Sequence, residues 1–257
     1  MADLRVGTSG WTYKDWIGPF YPEGTKAAGL LAWYASRFDT TEINASFYRV
    51  PSEKAVATWR ERTPEGFLFA WKASRFITHT KRLKDVGESL GFIFGRMDGL
   101  GDRFGPVLFQ LPPNLKRDDE RLAGFLALLP KGRRCVVEFR HPSWYEAAVF
   151  ELLRAHDAAL CVSDHHHAPA PWEATASFVY VRGHGSSGRY VGSYADETLT
   201  DWARRLKAWR KRGLDAYVYF DNDVKSAAPK DAERLLNHMD SRAKTAVRSS
   251  LRQRSGL

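Results

Sequence analysis

RCVVEFRHPSW, residues 134–144, is the stretch from which the fold can be inferred. Its first half is a short run of β-branched and aromatic residues, which is the composition of a buried strand. The run ends in Glu138, Arg140 and His141, before a helical pattern opens at Pro142. Burying an acid or a base is costly unless it is paired, so these side chains indicate a site. The carboxyl end of a strand is also where α/β folds build their sites.

The same alternation of a short apolar strand and a helical pattern recurs along the whole chain, without a linker. Besides the opening stretch, strands are predicted over residues 4–9, 40–47, 67–72, 107–111, 159–164, 178–182 and 216–220. Helices are predicted over 26–37, 52–62, 87–96, 118–129, 144–156, 196–212 and 227–239. Eight strands with intervening helices predict a single-domain TIM-type (β/α)8 barrel over residues 1–239, with a doubly wound open sheet as the alternative.

Composition narrows the class of protein. Of the 257 residues, 44% are hydrophobic and 27% are charged, and the formal net charge is +9. Residues 240–257 hold five basic side chains against Asp240 alone, so they are predicted to form a basic, disordered tail. Such a tail favours solubility, or a non-specific attraction to nucleic acid or anionic lipid.

Compartment and partners follow from what the sequence lacks. No run of 18 or more apolar residues occurs, so no membrane partner is predicted. The N-terminus has neither the basic start nor the apolar middle of a signal peptide. Cys135 and Cys161 fall in predicted strands and are interpreted as buried free thiols. The sequence therefore predicts a cytoplasmic protein, and it gives no sign of an obligate protein partner.

Polar side chains end nearly every predicted strand. In a barrel, alternate residues of each strand point inward, and the last inward residue lines the mouth. The sixth strand is predicted to present Asp164, which is in step with Leu160 and Val162. Together the strand ends bring Glu42, Asn44, Lys72, Gln110, Glu138, Arg140, Asp164, Arg182, His184, Asp221 and Asn222 to one mouth.

The string of motifs resembles the YecE-like family, also called domain of unknown function 72, from about residue 4 to residue 239. The motifs are GTSGW at 7–11, E-x-N-x-SFY at 42–48, QLPP at 110–113, E-x-R-x-x-SW at 138–144 and R-x-HG at 182–185. The resemblance implies a TIM-type barrel and leaves the activity open. The last strand of that family often ends in a phenylalanine and two asparagines, where this chain has Phe220, Asp221 and Asn222. The resemblance therefore carries over to Asn222 and not to Asp221.

The predicted function is that of an enzyme, a hydrolase, lyase or isomerase, working by general acid/base chemistry at the barrel mouth. Its substrate would be small and anionic or polyhydroxylated, sugar- or nucleotide-like and possibly phosphorylated. The catalytic candidates are Glu138, Lys72, His184 and Asp164. The substrate-binding candidates are Trp11, Glu42, Asn44, Tyr48, Gln110, Arg140, His141, Arg182 and Asn222.

Within this hypothesis each side chain has a role. Arg140 and Arg182 would hold a phosphate or carboxylate in bidentate fashion. Glu138 or His184 would be the general base or acid, and Lys72 an electrophile, an acid or a Schiff-base amine. The amides of Asn44, Gln110 and Asn222 would fix hydroxyl groups.

Cofactors and other functions stay open at this point. Glu138, Asp164 and His184 could ligate a divalent metal ion, but the cations crowding the same mouth disfavour it. No glycine-rich loop of the Walker or dinucleotide type is present, so no nucleotide cofactor is predicted. One alternative is a nucleic-acid-binding protein or metal-dependent endonuclease-like hydrolase, which rests on the basic balance and the aromatic loop at residues 10–24. The other is a non-catalytic scaffold whose polar ring is fully self-paired.

Overall fold

The computed structural model describes residues 2–254, with side chains through residue 240. Eight parallel strands form one sheet in the order β1-β8-β7-β6-β5-β4-β3-β2. They are β1 (Leu4–Thr8), β2 (Thr40–Ile43), β3 (Leu68–Lys72), β4 (Phe104–Gln110), β5 (Cys135–Glu138), β6 (Ala159–Ser163), β7 (Phe178–Gly183) and β8 (Asp215–Phe220). The sheet curls into a near-barrel, which confirms the predicted fold class.

Helices follow every strand except β6, as the sequence predicted. They are α1 (Ala27–Ala35), α2 (Glu53–Glu61), α3 (Gly87–Asp98), α4 (Asp119–Ala127), α5 (Ala147–Ala155), α6 (Asp196–Lys211) and α7 (Ala227–Arg254). The backbone of α7 is described through Arg254, whereas the side chains beyond residue 240 lie outside the described residues, so the disordered tail over 240–257 stays a prediction. None of the helices in residues 2–254 is both long and apolar enough to cross a membrane.

The barrel closes between β1 and β2 through side chains more than through backbone pairing. One isolated bridge, Ser9 with Glu42, joins the two strand ends. Below it the hydroxyl of Tyr34, from α1, accepts from the Thr8 N–H at 2.8 Å and donates to the Thr40 carbonyl at 3.1 Å. We call this join the β1–β2 seam.

Glycine is required on the β1 side of the seam. A Cβ atom built on Gly7 would lie 2.3 Å from the carbonyl oxygen of Thr40 and 2.9 Å from the hydroxyl of Tyr34. Backbone carbonyls cannot yield that much space, so any larger residue would push β1 away from β2. The first glycine of the GTSGW motif therefore serves closure of the barrel.

Two apolar layers result from the alternation of strand side chains. The outer layer lies between the strands and the helices and holds most of the large residues, such as Trp71, Phe109 and Trp202. The inner layer fills the lower barrel with Ala70, Leu108, Val136, Ala159, Cys161, Phe178, Tyr180, Tyr217 and Tyr219. Both cysteines are buried and free, as predicted. Above the inner layer the barrel interior becomes ionic.

The predicted register of β6 is wrong by one residue. Leu160 and Val162 belong to the outer layer, whereas Cys161 belongs to the inner one. The last inward residue of β6 is therefore Ser163, whose hydroxyl donates to Glu138 Oε1 at 3.2 Å. A one-residue slip exchanges the two faces of a strand, and β6 is apolar on both, so its composition did not fix the register.

β2 is shorter than the predicted strand over 40–47. It ends at Ile43, because Asn44 has helical backbone angles and opens a short 3-10 turn, Ala45–Phe47. The hydroxyl of Ser46 holds this turn by donating to the carbonyls of Ile43 and Lys72, at 2.6 and 2.7 Å. The turn places Asn44 and Tyr48 beside the mouth rather than on the strand.

Candidate functional site

Arg182 lies fully buried at the centre of the upper barrel. Its Nε and Nη2 donate to the two carboxylate oxygens of Glu42 at 3.1 and 2.8 Å. Nη1 donates to Glu138 Oε2 at 3.0 Å, and Nη2 to Asp221 Oδ2 at 2.7 Å and to the Ser9 hydroxyl at 3.1 Å. All of its nitrogens are engaged, so Arg182 has no donor left for a substrate anion. Its predicted role as a phosphate clamp is not what this geometry favours.

Arg140 is nearly as fully engaged. Its Nη2 contacts Glu138 Oε1 at 2.5 Å and the Gln110 amide oxygen at 3.4 Å, and its Nη1 donates to the Tyr190 hydroxyl at 3.1 Å. Only Nε has no hydrogen-bond partner. Gln110 is therefore turned toward Arg140 and supports the arginine.

Glu138 is ionised and held between the two arginines. Burial opposes its ionisation, but the positive charges of Arg140 and Arg182 outweigh that effect and lower the pKa of Glu138 to about 2. A carboxylate with such a pKa is a weak base at neutral pH. The position of Glu138 therefore favours a structural role over the predicted catalytic one.

His184 is neutral in this environment. Burial, followed by the charges of Arg182 and Arg140, lowers the pKa of His184 well below its usual value. Its Nε2 faces both arginines at 3.1 Å, so this nitrogen is the acceptor. The proton consequently sits on Nδ1, which is 3.2 Å from Asp164 Oδ1. Both ring nitrogens are occupied by protein partners.

Asp164 follows β6 and reaches the site from its edge. Its Oδ1 accepts from the His184 backbone N–H at 2.7 Å, and the Tyr194 hydroxyl donates to Oδ2. Burial raises the pKa of Asp164 to about 6, partly offset by these hydrogen bonds. Asp164 is therefore a carboxyl group that titrates close to neutral pH.

The three residues considered as metal ligands do not converge. Asp164 approaches His184 at Nδ1, whereas Glu138 lies 3.8 Å from the opposite nitrogen, Nε2. Across the described residues, no group of three or more His, Cys, Asp or Glu side chains is arranged to hold a metal ion. The geometry therefore does not favour a metal on Glu138, Asp164 and His184.

Lys72 has few partners for a buried amine. Its Nζ donates to the Asn44 amide oxygen at 3.1 Å and lies 4.5 Å from the centre of the Phe47 ring. Among the described residues, no carboxylate forms an ion pair with it. Burial, followed by the positive charge of Arg182, lowers the pKa of Lys72 to about 8, and the negative charge of Asp221 opposes the shift. Two of its three donor positions thus remain for a ligand.

Asp221 and Asp223 form a carboxyl pair, of which the sequence placed Asp221 at the mouth and did not indicate Asp223. Asp221 is buried against Arg182, and burial raises its pKa. Burial, followed by the negative charge of Asp221, raises the pKa of Asp223 to about 8. The signal was present in the sequence, because Asp221 is in step with the inward Tyr219 of β8.

Asn222 faces the other way from its neighbours. Its Nδ2 donates to Asp231 Oδ2 at 2.9 Å and to the Gly192 carbonyl at 2.8 Å. Through Nδ2 it joins the loop after β7 to α7, and its buried Oδ1 has no hydrogen-bond partner among the described residues, so the hydroxyl-binding role of Asn222 stays a prediction. His141 is likewise local, since its Nδ1 accepts from the Ser143 N–H at 3.2 Å and caps the short 3-10 turn after β5.

A cavity of about 460 Å³ opens above the β1–β2 seam. Aromatic side chains form much of its wall, with Asn44 as a polar member, and the ring centres of Trp11 and Trp59 are 5.5 Å apart and perpendicular. Tyr48, 72% exposed, stands at its outer side. The wall includes Trp11, Tyr13, Asn44, Tyr48, Trp59 and Arg62. Three substrate-binding candidates, Trp11, Asn44 and Tyr48, are therefore brought together here.

The aromatic loop at residues 10–24 packs against the barrel and also forms part of the cavity wall. Trp16 and Tyr21 are fully buried, and Trp16 Nε1 donates to the Asp223 carbonyl at 2.9 Å. Tyr13 lies in the same loop and lines the cavity, with its hydroxyl donating to the Ser9 carbonyl at 2.6 Å. Burial raises the pKa of Tyr13, and the charges of Asp223 and Asp221 add to this. The loop thus links the cavity to the carboxyl pair.

The loop after β7 covers the opposite side of the mouth. Tyr190 holds a positive φ of 67°, and its ring centre lies 5.0 Å from that of His184. Such a backbone conformation is costly for a tyrosine and persists only where its surroundings enforce it. Two hydrogen bonds enforce this conformation of Tyr190. Arg140 donates to its hydroxyl, and its own backbone N–H donates to the His184 carbonyl at 2.6 Å.

Comparison with known proteins relates this chain to several others. The family described as "Protein of unknown function DUF72" matches residues 5–255. The chain is similar to UPF0759 protein YunF of Bacillus subtilis, with 25% identity over 92% of this chain and 95% of that protein. UPF0759 protein YecE of Escherichia coli is 29% identical over 55% of this chain and 50% of that protein.

A solved structure agrees with the architecture. A DUF72 family protein from Thermotoga maritima superposes with a TM-score of 0.83 at 27% identity, covering 93% of this chain and 99% of that one. The sequence resemblance, the eight-stranded near-barrel and the family match over almost the whole length are mutually consistent. On that basis the chain belongs to the DUF72 family.

Proposed function

We propose that this protein is an enzyme that converts a small polyhydroxylated compound by general acid/base chemistry at the carboxyl end of the barrel. The observation that carries the proposal is Lys72. It is a buried amine with one hydrogen bond, through Asn44, to the wall of the cavity. A lysine whose pKa is lowered to about 8 can both accept and donate a proton near neutral pH.

The acid/base roles differ from those expected from the sequence. Glu138 and His184 have their proton-binding atoms engaged by arginines, so Lys72 is the better candidate for proton transfer. The carboxyl groups of Asp221 and Asp223 have raised pKa values, and the charge of Asp221 acts on Lys72. Groups whose pKa values are displaced in opposite directions are typical of paired acid/base sites.

The cavity wall favours a polyhydroxylated substrate over a strongly anionic one. Aromatic faces such as those of Trp11 and Trp59 suit the apolar face of a sugar ring, and the Asn44 amide suits its hydroxyl groups. Both arginines of the mouth already bind carboxylates. A phosphate would also meet the acidic residues Glu42, Glu138, Asp164, Asp221 and Asp223.

The two alternatives receive less support. Nucleic acid requires exposed basic groups, whereas the arginines of this mouth are buried in ion pairs. The self-paired scaffold describes the surroundings of Arg182 well, but it does not account for Lys72. An enzyme in which the ion pairs of Arg182 stabilise the barrel mouth and Lys72 supplies a reactive amine accounts for both residues.

The experiment is a proton NMR screen in D2O at pH 7.5 with a panel of aldoses, ketoses, sugar acids and polyols. We expect the protein to convert at least one compound, or to exchange one of its carbon-bound protons for deuterium. Lys72→Met should slow that reaction on the order of 100- to 10,000-fold, the usual contribution of a positioned acid or base.

The matched control is Lys81→Met. Lys81 also lies near a phenylalanine ring, Phe76, at 6.0 Å, but its side chain is exposed. Lys81→Met should therefore leave the rate of the reaction detected by NMR unchanged. Equal rates in Lys72→Met and in the unmodified protein, or no reaction with any member of the panel, would count against the proposal.

A further inference from the structure

We propose that Lys72 forms an imine with the carbonyl carbon of an open-chain sugar or another small hydroxylated aldehyde or ketone. This inference rests on the proposed function and gives its substrate class. It is carried by one buried amine whose hydrogen-bond partner, Asn44, lines the cavity, and on which the charge of Asp221 acts.

The amine has the freedom that nucleophilic attack requires. Among the side chains that the structure describes, Nζ is held by the Asn44 amide at 3.1 Å and by the face of the Phe47 ring. An ion-paired lysine would have to break a strong contact before attacking, whereas Lys72 has only one hydrogen bond to release. The charged and titratable groups facing it are Arg182, Asp221, Glu42, Glu138 and His79.

This electrostatic environment favours the neutral amine. Burial and the positive charge of Arg182 disfavour a charge on Nζ. With a pKa of about 8 in place of 10.5, the neutral fraction at pH 7 is roughly 300-fold larger than that of an ordinary lysine. The same environment disfavours a further cation beside Arg182, so that Lys72 differs chemically from surface lysines.

The carbonyl compound would reach the amine from the cavity. Asn44 belongs both to the cavity wall and to the contact with Nζ, so a ligand that replaces the amide at that contact meets the amine. A volume of about 460 Å³ holds a compound of three to six carbon atoms with its hydroxyl groups. The aromatic wall would lie along its carbon chain.

An acid group for the dehydration step lies within electrostatic reach of the amine, because the charge of Asp221 acts on Lys72. The neutral amine attacks the carbonyl carbon, the N–C bond forms as the C=O π bond breaks, and one proton of the attacking nitrogen passes to the oxygen to give a neutral carbinolamine. The proton held by the Asp221–Asp223 pair then lets the hydroxyl leave as water, and the nitrogen lone pair forms the C=N bond of a protonated imine. Burial and mutual repulsion keep a proton on this pair near neutral pH.

The test is reductive trapping of the full-length protein. D-glyceraldehyde, dihydroxyacetone and D-ribose are each incubated with the protein at pH 7 and sodium cyanoborohydride, followed by intact-mass and peptide mass spectrometry. We expect one adduct, heavier by the mass of the probe less one oxygen atom, on the peptide that carries Lys72. Its rate should exceed that of any surface lysine by on the order of 100-fold, as the neutral fractions imply.

Two variants make the result specific. Lys72→Arg keeps the positive charge and has no nucleophilic amine, so it should abolish the adduct, whereas Lys81→Arg should retain it. A parallel sample of each probe in D2O without reductant reports proton exchange. Exchange without a Lys72 adduct would overturn the imine and leave the acid/base function standing.

The remaining outcomes are equally decisive. An adduct on Lys72 without proton exchange or conversion would support the imine and argue against the proposed turnover of these compounds. Modification spread evenly over surface lysines, or no adduct with any of the three probes, would overturn the inference.

Discussion

Arg182 joins Glu42, Glu138 and Asp221, three carboxylates that come from three different strands. The guanidinium has no contact with bulk solvent, because its side chain is fully buried. Removing one member of a buried ionic group leaves the others without compensation, and that loss is larger than the net stabilisation by the intact group. Arg182 therefore matters more for the folded state than for contact with a substrate.

We expect Arg182→Met to lower the free energy of unfolding by about 3–5 kcal/mol, since three buried carboxylates would lose their partner. Chemical denaturation measures this change. Arg205→Met is the control, because Arg205 pairs with Asp201 at the surface, where such pairs contribute about 0–1 kcal/mol. Similar losses in both variants would contradict the assigned role of Arg182.

Asp223 should make stability depend on pH. Its pKa, raised to about 8, means that the folded protein holds a proton which the unfolded chain releases above pH 4 or so. Stability attributable to Asp223 therefore falls as the pH rises from about 4 to about 8. We expect the stability of Asp223→Asn relative to the unmodified protein to be higher at pH 8 than at pH 5. Urea denaturation of both proteins at the two pH values measures this. An unchanged pH dependence would refute this.

Among secondary-structure elements, the β1–β2 seam depends on one side chain of α1. Tyr34→Phe would leave the Thr8 N–H and the Thr40 carbonyl without a partner in a buried place. We expect a loss of about 1–3 kcal/mol in the free energy of unfolding. Tyr21→Phe is the matched control, because the Tyr21 hydroxyl serves only the Trp11 carbonyl, and its loss should cost less. The opposite order would contradict the importance of the seam.

The elements themselves were largely predictable, and their faces were not always so. Each of the eight strands and the absence of a helix after β6 followed from apolar runs and their spacing. The face of β6 did not, because Ala159–Ser163 is buried on both sides and lacks alternation. β8 is also apolar on both faces, but Tyr217 and Tyr219 face the barrel interior, so Asp221 is the next residue in step with them. The family resemblance favoured Asn222, which instead bonds Asp231.

At the scale of the whole molecule, the ionic layer should set the limit of acid stability. The pKa of Glu138 is lowered to about 2, so its contribution is complete above the ordinary glutamate value of about 4.5 and is lost as the pH falls toward 2. We expect Glu138→Gln to be destabilised at pH 7 and to approach the unmodified protein at pH 2. Circular dichroism during acid titration measures this.

Glu65→Gln is the control for that titration, because Glu65 is an exposed surface residue. It should follow the unmodified protein at every pH. A Glu138→Gln variant that is as stable as the unmodified protein at pH 7 would show that Glu138 is dispensable to the ionic layer, and would return it to the list of proton-transfer groups.

The ring of polar residues at one mouth was predictable from where strands end, and the pairing inside it was not. Which acid meets which base depends on strand order around the barrel and on side-chain length. Arg182 reaches across to Glu42, 140 positions away in the chain. The cavity was equally hidden, because it joins residues from the loop after β1 with the turn after β2 and with α1 and α2.

The seam has a consequence for how occupancy of the cavity could be detected. Gly10 and Ile43 line the cavity from the two sides of this join. A ligand bound there would therefore contact the ends of both β1 and β2 and stabilise their association. Deuterium uptake at the amide of Thr8 would then slow in proportion to saturation. Binding of a compound could thus be detected from slower hydrogen exchange at this one amide, before the reaction of that compound is known.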